Sequence, residues 1–157
     1  MSVHGDLDAF AVALPAEGVL AGLDLGTKTI GIALSDTRQS VASPHHTIRR
    51  RKFTLDAQEL LEMLALRRVE GIVLGLPLNM DGSEGPRCQS TRAFARNLSR
   101  LTDLPIGFWD ERLSSFAAEQ MLIEAGTRRA RRDEVIDKVA ASIILQGFLD
   151  RLAEMRR

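Results

Sequence analysis

The stretch GLDLGTKTIGIALSD, Gly22 to Asp36, decides the fold. Two short apolar runs, Val19 to Leu25 and Ile30 to Asp36, flank Gly26-Thr27-Lys28-Thr29, which predicts two strands joined by a tight turn. Asp24 lies between Leu23 and Leu25 inside the first run. An unpartnered ionised carboxylate is costly in such a place, so Asp24 either bonds the amides of the following turn or meets a cation.

Working outward, Val41 to Ile48 supplies a third strand, held to an edge position by Pro44. Thr54 is a plausible helix cap, and Leu55, Leu60, Leu61, Leu64 and Leu66 give the helix behind it an apolar face ending near Glu70-Gly71. The run GIVLGLP reads as a strand covered on both faces. PLNMDGSEGP, residues 77–86, is dense in turn formers, with Pro86 opening a helix that reaches about Leu101. PIGFWDE is the fifth strand candidate. Ser114 caps a helix over 115–125 stopped by Gly126, and Asp133 opens a last helix toward Met155. The expected architecture is α/β, a five-stranded mixed sheet with helices on both faces, formed by residues 19–157 behind a poorly specified extension, 1–18.

The 157 residues suit one domain. An apolar fraction of 45% with 27% charged residues is that of a soluble protein, and no run is long enough to span a membrane. The beginning of the chain lacks the pattern of a secretory signal, and Cys88 is the only cysteine, so a reducing cytoplasm is expected, without a disulfide or a zinc site. Formal net charge is zero. Arginine is nonetheless clustered, at Arg49, Arg50, Arg51 and Lys52 and at Arg128, Arg129, Arg131 and Arg132, two junctions between elements. Each cluster is either a solvated linker or a contact for polyanions.

Two more acidic positions stand out. Asp110 and Glu111 end the fifth strand, where open sheets place ligands, although the pair would equally suit a surface spot bonded to Arg112. Asp137 shares a helical stripe with Ala140, Ala141, Ile144 and Phe148, so its carboxylate faces inward. If Asp24, Glu111 and Asp137 converge, they cannot all ionise without a cation. Divalent ions bound by such oxygens would orient an attacking water and stabilise the leaving oxygen of a phosphodiester. Lys28 offers a cation near a phosphate, and Gly22, Gly26 and Gly31 allow close backbone approach.

GLDLGTKTIGIALSD, VLGLPLNMDGSEGP, FWDERLSS and RRDEVIDKVAASIILQGFL, in that order, resemble the YqgF family, also called RuvX, over residues 19–152. The resemblance implies an RNase H-like three-layer fold and a hydrolase, a metal-dependent endonuclease with Asp24, Glu111 and Asp137 as catalytic residues around one or two Mg²⁺ or Mn²⁺ ions. It further implies maturation of the 5′ end of pre-16S rRNA in the cytoplasm. Resolution of four-way DNA junctions by a dimer is the alternative, and a non-catalytic RNA-binding module in ribosome assembly a further one. Nucleic-acid contacts are expected at Lys28, Asn79, Arg87, Arg112, Arg128, Arg129, Arg131 and Arg132, through the phosphate backbone, since aromatic residues are only 4% and Tyr is missing. Thr29 stands where a basic residue is frequent in the family, which weakens phosphate contact there. No membrane partner is expected, and the chain would be a monomer or weak dimer.

Overall fold

The computed structural model describes residues 3–113 and 129–157, with side chains over 3–112 and 136–157. Its elements are α1 (Leu7–Ala13), β1 (Val19–Leu25), β2 (Thr29–Ser35), β3 (Ala42–Arg49), α2 (Phe53–Leu66), β4 (Val69–Leu76), α3 (Pro86–Ser99), β5 (Ile106–Asp110), a 3₁₀ turn (Glu111–Leu113) and α4 (Arg129–Met155). The strands form one sheet in the order β3-β2-β1-β4-β5. β2 is antiparallel to β1 and β3, while β4 and β5 run parallel to β1, giving the mixed sheet that the order of motifs predicts.

Alternation along the strands divides the core into two layers. Ala21, Leu23, Ile30, Ile32 and Leu74 pack under α2 and α3 through Leu60, Leu64, Phe94 and Leu98. Leu20, Ala33 and Val73 pack on the opposite face, under α1 and α4, through Phe10, Ala141, Ile144, Leu145 and Phe148. Asp24 belongs by parity to this second face. There α4 lies very close to the sheet: a Cβ at Gly22 would stand 2.7 Å from Leu145 Cβ, and one at Gly31 would collide with the backbone carbonyl of Asp137. These two glycines admit a helix, not a phosphate as the sequence suggested.

Several boundaries differ from expectation, each for a local reason. α2 starts at Phe53, one residue before the expected cap Thr54, and Lys52 stands at its N-cap without a side-chain bond. Its buried stripe is Asp56, Ala57, Leu60 and Leu64, which leaves Leu55 and Leu66 exposed. Asp56 is buried because both its oxygens accept the Arg51 N–H, at 3.0 and 3.2 Å. α4 begins at Arg129, so Asp133 lies inside the helix and does not open it. Pro44 lies on the edge strand as expected, and the β2–β3 register slips there, Ile32 facing His46 and Ala33 facing Pro44. The helix expected over 115–125, with Ser114 and Gly126, lies outside the described residues.

The segment before Val19 is better specified than the sequence reading allowed. Asp6 caps α1 by accepting the Asp8 N–H, and Phe10 is fully buried with its ring 5.2 Å from that of Phe148. Gly107 of β5 makes room for it, since any Cβ at that position would strike the Phe10 ring. Val3 bridges to Ile106, and the His4 N–H donates to the Ile106 carbonyl at 2.8 Å, covering the outer edge of β5.

Candidate active site

β1, β4 and β5 are parallel, so their carboxyl ends gather on one rim of the sheet. Asp24 sits at the end of β1, 6% exposed. Glu111 follows the last residue of β5 and is hydrogen-bonded to Asp24 across the end of β4. Gly75 makes that reach possible. It lies in β4 between the two carboxylates, and Glu111 Oε2 is 3.2 Å from where its Cβ would stand. A side chain here would fill the space through which the carboxylates meet.

Asp137 arrives from α4, in the turn of helix that crosses Gly31. It is half-buried, and its Oδ2 accepts a hydrogen bond from the Thr29 hydroxyl. The same oxygen is 3.7 Å from a Cβ built on Gly26. Thr29 therefore turns Asp137 toward the β1–β2 turn, a role that the sequence reading missed.

Burial, then the negative charge and hydrogen bond of Glu111, then the charge of Asp137 push the Asp24 carboxyl up to about 8, with Arg87 opposing them. Asp24 therefore resists ionisation where it meets Glu111. Asp110, next to Glu111 in sequence, fares oppositely. Arg112 grips it through Nε and Nη2, at 2.9 and 2.5 Å from Oδ2, and holds its carboxyl below the usual range. The surface reading of the pair was right for Asp110 alone.

Among the described residues no three His, Cys, Asp or Glu side chains are already grouped as metal ligands. What the rim offers is chemistry that suits a hard divalent cation: two carboxylates in contact over one proton and a third within electrostatic range, all oxygen donors. Ion binding there would release the Asp24 proton.

The expected nucleic-acid contacts divide into three groups. Lys28 and Arg87 are exposed beside the rim, Arg87 with Nη2 3.4 Å from the Leu25 carbonyl. Asn79 and Arg112 border a cleft of about 350 Å³ together with Glu111, Met80 and Arg87. Both have partners: Asn79 donates to Ser83 Oγ at 3.0 Å, and Arg112 is bound to Asp110. Arg128 lies outside the described residues, as do the side chains of Arg129, Arg131 and Arg132. His46 is exposed and paired with Glu59 at 3.7 Å, in keeping with a surface role. Arg50 was seen only as part of a cluster, yet its Nη1 donates to the Gly26 carbonyl at 2.7 Å, beside Asp24 in sequence.

A family profile described as RuvX, Holliday junction resolvase, matches residues 18–151. The chain belongs to the RuvX family. RuvX relatives in Ruegeria sp. (strain TM1040) and Rhodobacter capsulatus, provisionally named pre-16S rRNA nucleases, are 66% and 64% identical to it, over 154 and 151 residues. These matches cover 98% of both chains in the first case, and 96% of this chain and 95% of the relative in the second. The RuvX fold is RNase H-like. Thermus thermophilus RuvC in complex with a Holliday junction aligns with a TM-score of 0.54 at 15% identity, over 85% of this chain and 95% of that one. The yeast mitochondrial Holliday junction resolvase Ydc2 aligns at 0.55 and 12% identity, over 96% and 85%. The family is one of nucleases, hydrolases of phosphodiester bonds.

Proposed function

We propose that this RuvX protein is a metal-dependent endonuclease that cuts structured RNA, with the 5′ end of pre-16S rRNA as substrate and Asp24, Glu111 and Asp137 as its catalytic residues. The observation that carries the reading is the Asp24–Glu111 hydrogen bond, made at the strand ends with Asp137 nearby. Carboxylates of this kind would hold one or two Mg²⁺ or Mn²⁺ ions, whose chemistry is Lewis-acid stabilisation of charge on the phosphodiester oxygens. Thr29 orients Asp137 through its hydroxyl, Arg87 offsets part of the negative charge at Asp24, and Lys28 meets the incoming polyanion. The cleft between Glu111, Asn79 and Met80 gives the strand a path past the rim. No described helix is long and apolar enough to cross a membrane, and we infer a cytoplasmic site of action.

Resolution of four-way DNA is the second reading, favoured by the description of the family profile. It requires a dimer that presents two rims to symmetric strands. Incubating the protein and Mg²⁺ or Mn²⁺ with a 5′-extended 16S precursor RNA, a synthetic four-way junction and matched duplexes separates the readings. Metal-dependent cuts in the precursor by a monomer support the first. Paired symmetric nicks in the junction by a dimer replace it with the second, and no cut in either overturns both.

A further inference from the structure

Arg87 lines two cavities. One is the cleft beside Glu111, and the other is a pocket of about 170 Å³ bounded by Leu25, Gly26, Thr27, Arg50 and Ser90. From the way these arginines are held, and resting on the nuclease reading, we propose that Arg50 and Arg87 bind a backbone phosphate of the substrate strand next to the one being cut.

Many arginines here are neutralised by acids: Arg51 by Glu59, Arg92 by Glu84, Arg112 by Asp110 and Arg151 by Glu154. Arg50 and Arg87 have no such partner among the described residues. Each instead donates one N–H to a backbone carbonyl, Arg50 to Gly26 at 2.7 Å and Arg87 to Leu25 at 3.4 Å. A carbonyl fixes a guanidinium without cancelling its charge, and each guanidinium retains four of its five donors.

The backbone below Arg50 is pinned as well. Its own N–H donates to the Lys28 carbonyl at 2.8 Å, and the next amide, that of Arg51, is held by buried Asp56. Two charges are thus held in advance against the carbonyls of Leu25 and Gly26, the two residues after Asp24. A phosphodiester suits the paired forks better than a base, since the walls offer no aromatic face and Thr27 and Ser90 add hydroxyls. With the scissile group at the carboxylates, the strand would pass Arg87 and set a neighbouring phosphate in the pocket.

The test uses an uncleavable, 2′-modified RNA oligonucleotide carrying a single neutral methylphosphonate, moved one linkage at a time. Arg50→Gln and Arg87→Gln should each weaken binding about tenfold and reduce the salt slope by about one. One linkage, different from the scissile one, should cost the wild type about tenfold and the double variant less than about twofold. Arg92→Gln, on a paired arginine outside the pocket, should leave affinity unchanged. Equal penalties at every linkage in wild type and double variant would overturn the subsite, as would a loss that follows an abasic residue and not a neutral linkage. Because binding is read without turnover, cleavage by a protein showing no coupling defeats the subsite alone. Coupling in a protein that never cleaves defeats the nuclease reading alone.

Discussion

Asp110 and Glu111 are neighbours in the chain, yet they end in opposite electrostatic regions. On the outer flank three acids at or beside the loop over 77–85 are matched: Asp110 by Arg112, Glu84 by Arg92, Asp81 by the Ser83 amide and hydroxyl. All three carboxyls are held below their ordinary values. On the inner flank Asp24 has Glu111 and Asp137 for neighbours and is driven up. A buried carboxyl driven up by neighbouring acids, as Asp24 is, suits an outside cation.

The most severe way to break the contrast is to remove an inner carboxylate. Asp24→Asn, Glu111→Gln or Asp137→Asn should each lower the cleavage rate by about 10³-fold or more while RNA affinity changes less than about threefold. Single-turnover cleavage and filter binding measure the two quantities, and cleavage near the wild-type rate would remove that residue from the site.

The next effect is on stability. The Asp24 carboxyl is raised from 3.8 to about 8, so the folded chain retains a proton that the unfolded chain releases. The stabilisation is complete below pH ~4 and is lost as pH climbs through about 8. In ion-free buffer the melting temperature should fall by roughly 5–10 °C between pH 5 and pH 8.5, and Asp24→Asn should flatten that fall. Mn²⁺ at pH 8.5 should restore the wild type and leave the variant unmoved, as scanning calorimetry would record. A wild-type profile as flat as the variant's would mean that the inner acids do not interact.

Smaller effects sharpen the boundary between flanks. Thr29→Ala removes the hydroxyl that orients Asp137 and should lower kcat about tenfold, with about 1 kcal/mol of stability lost. Thr29→Ser should recover most of the rate. Asp110→Asn, on the compensated flank, should change cleavage less than about threefold. A large loss there would make the outer acid part of the chemistry.

The sheet was legible because its signals are local. The short apolar runs of β1 and β2, Pro44 on β3, the turn formers over 77–85 and Pro86 at the start of α3 each name their own element. The three inner acids were legible too, as charges inside apolar patterns. Harder to read was everything set by pairing between distant segments. Thr29 looks like a turn residue until β2 is laid under α4, and Arg50 looks like one of four cations until its guanidinium meets the Gly26 carbonyl. Segment 1–18 was missed for another reason: Leu7, Phe10, Ala11 and Leu14 follow helical spacing behind Asp6, but the stripe is short. Its importance shows in the space opposite Gly107 and in the Phe10–Phe148 contact.

The bare Cα at Gly31 ties two requirements that protein engineers ordinarily treat apart. β-branched residues strengthen strands, and a thermostabilisation campaign would select this position early. Here any such gain would lift α4 off the sheet and carry the Asp137 backbone with it. The spacing between helix and strand acts as a ruler for the third carboxylate, which makes position 31 a constraint on the proposed site written in the language of packing.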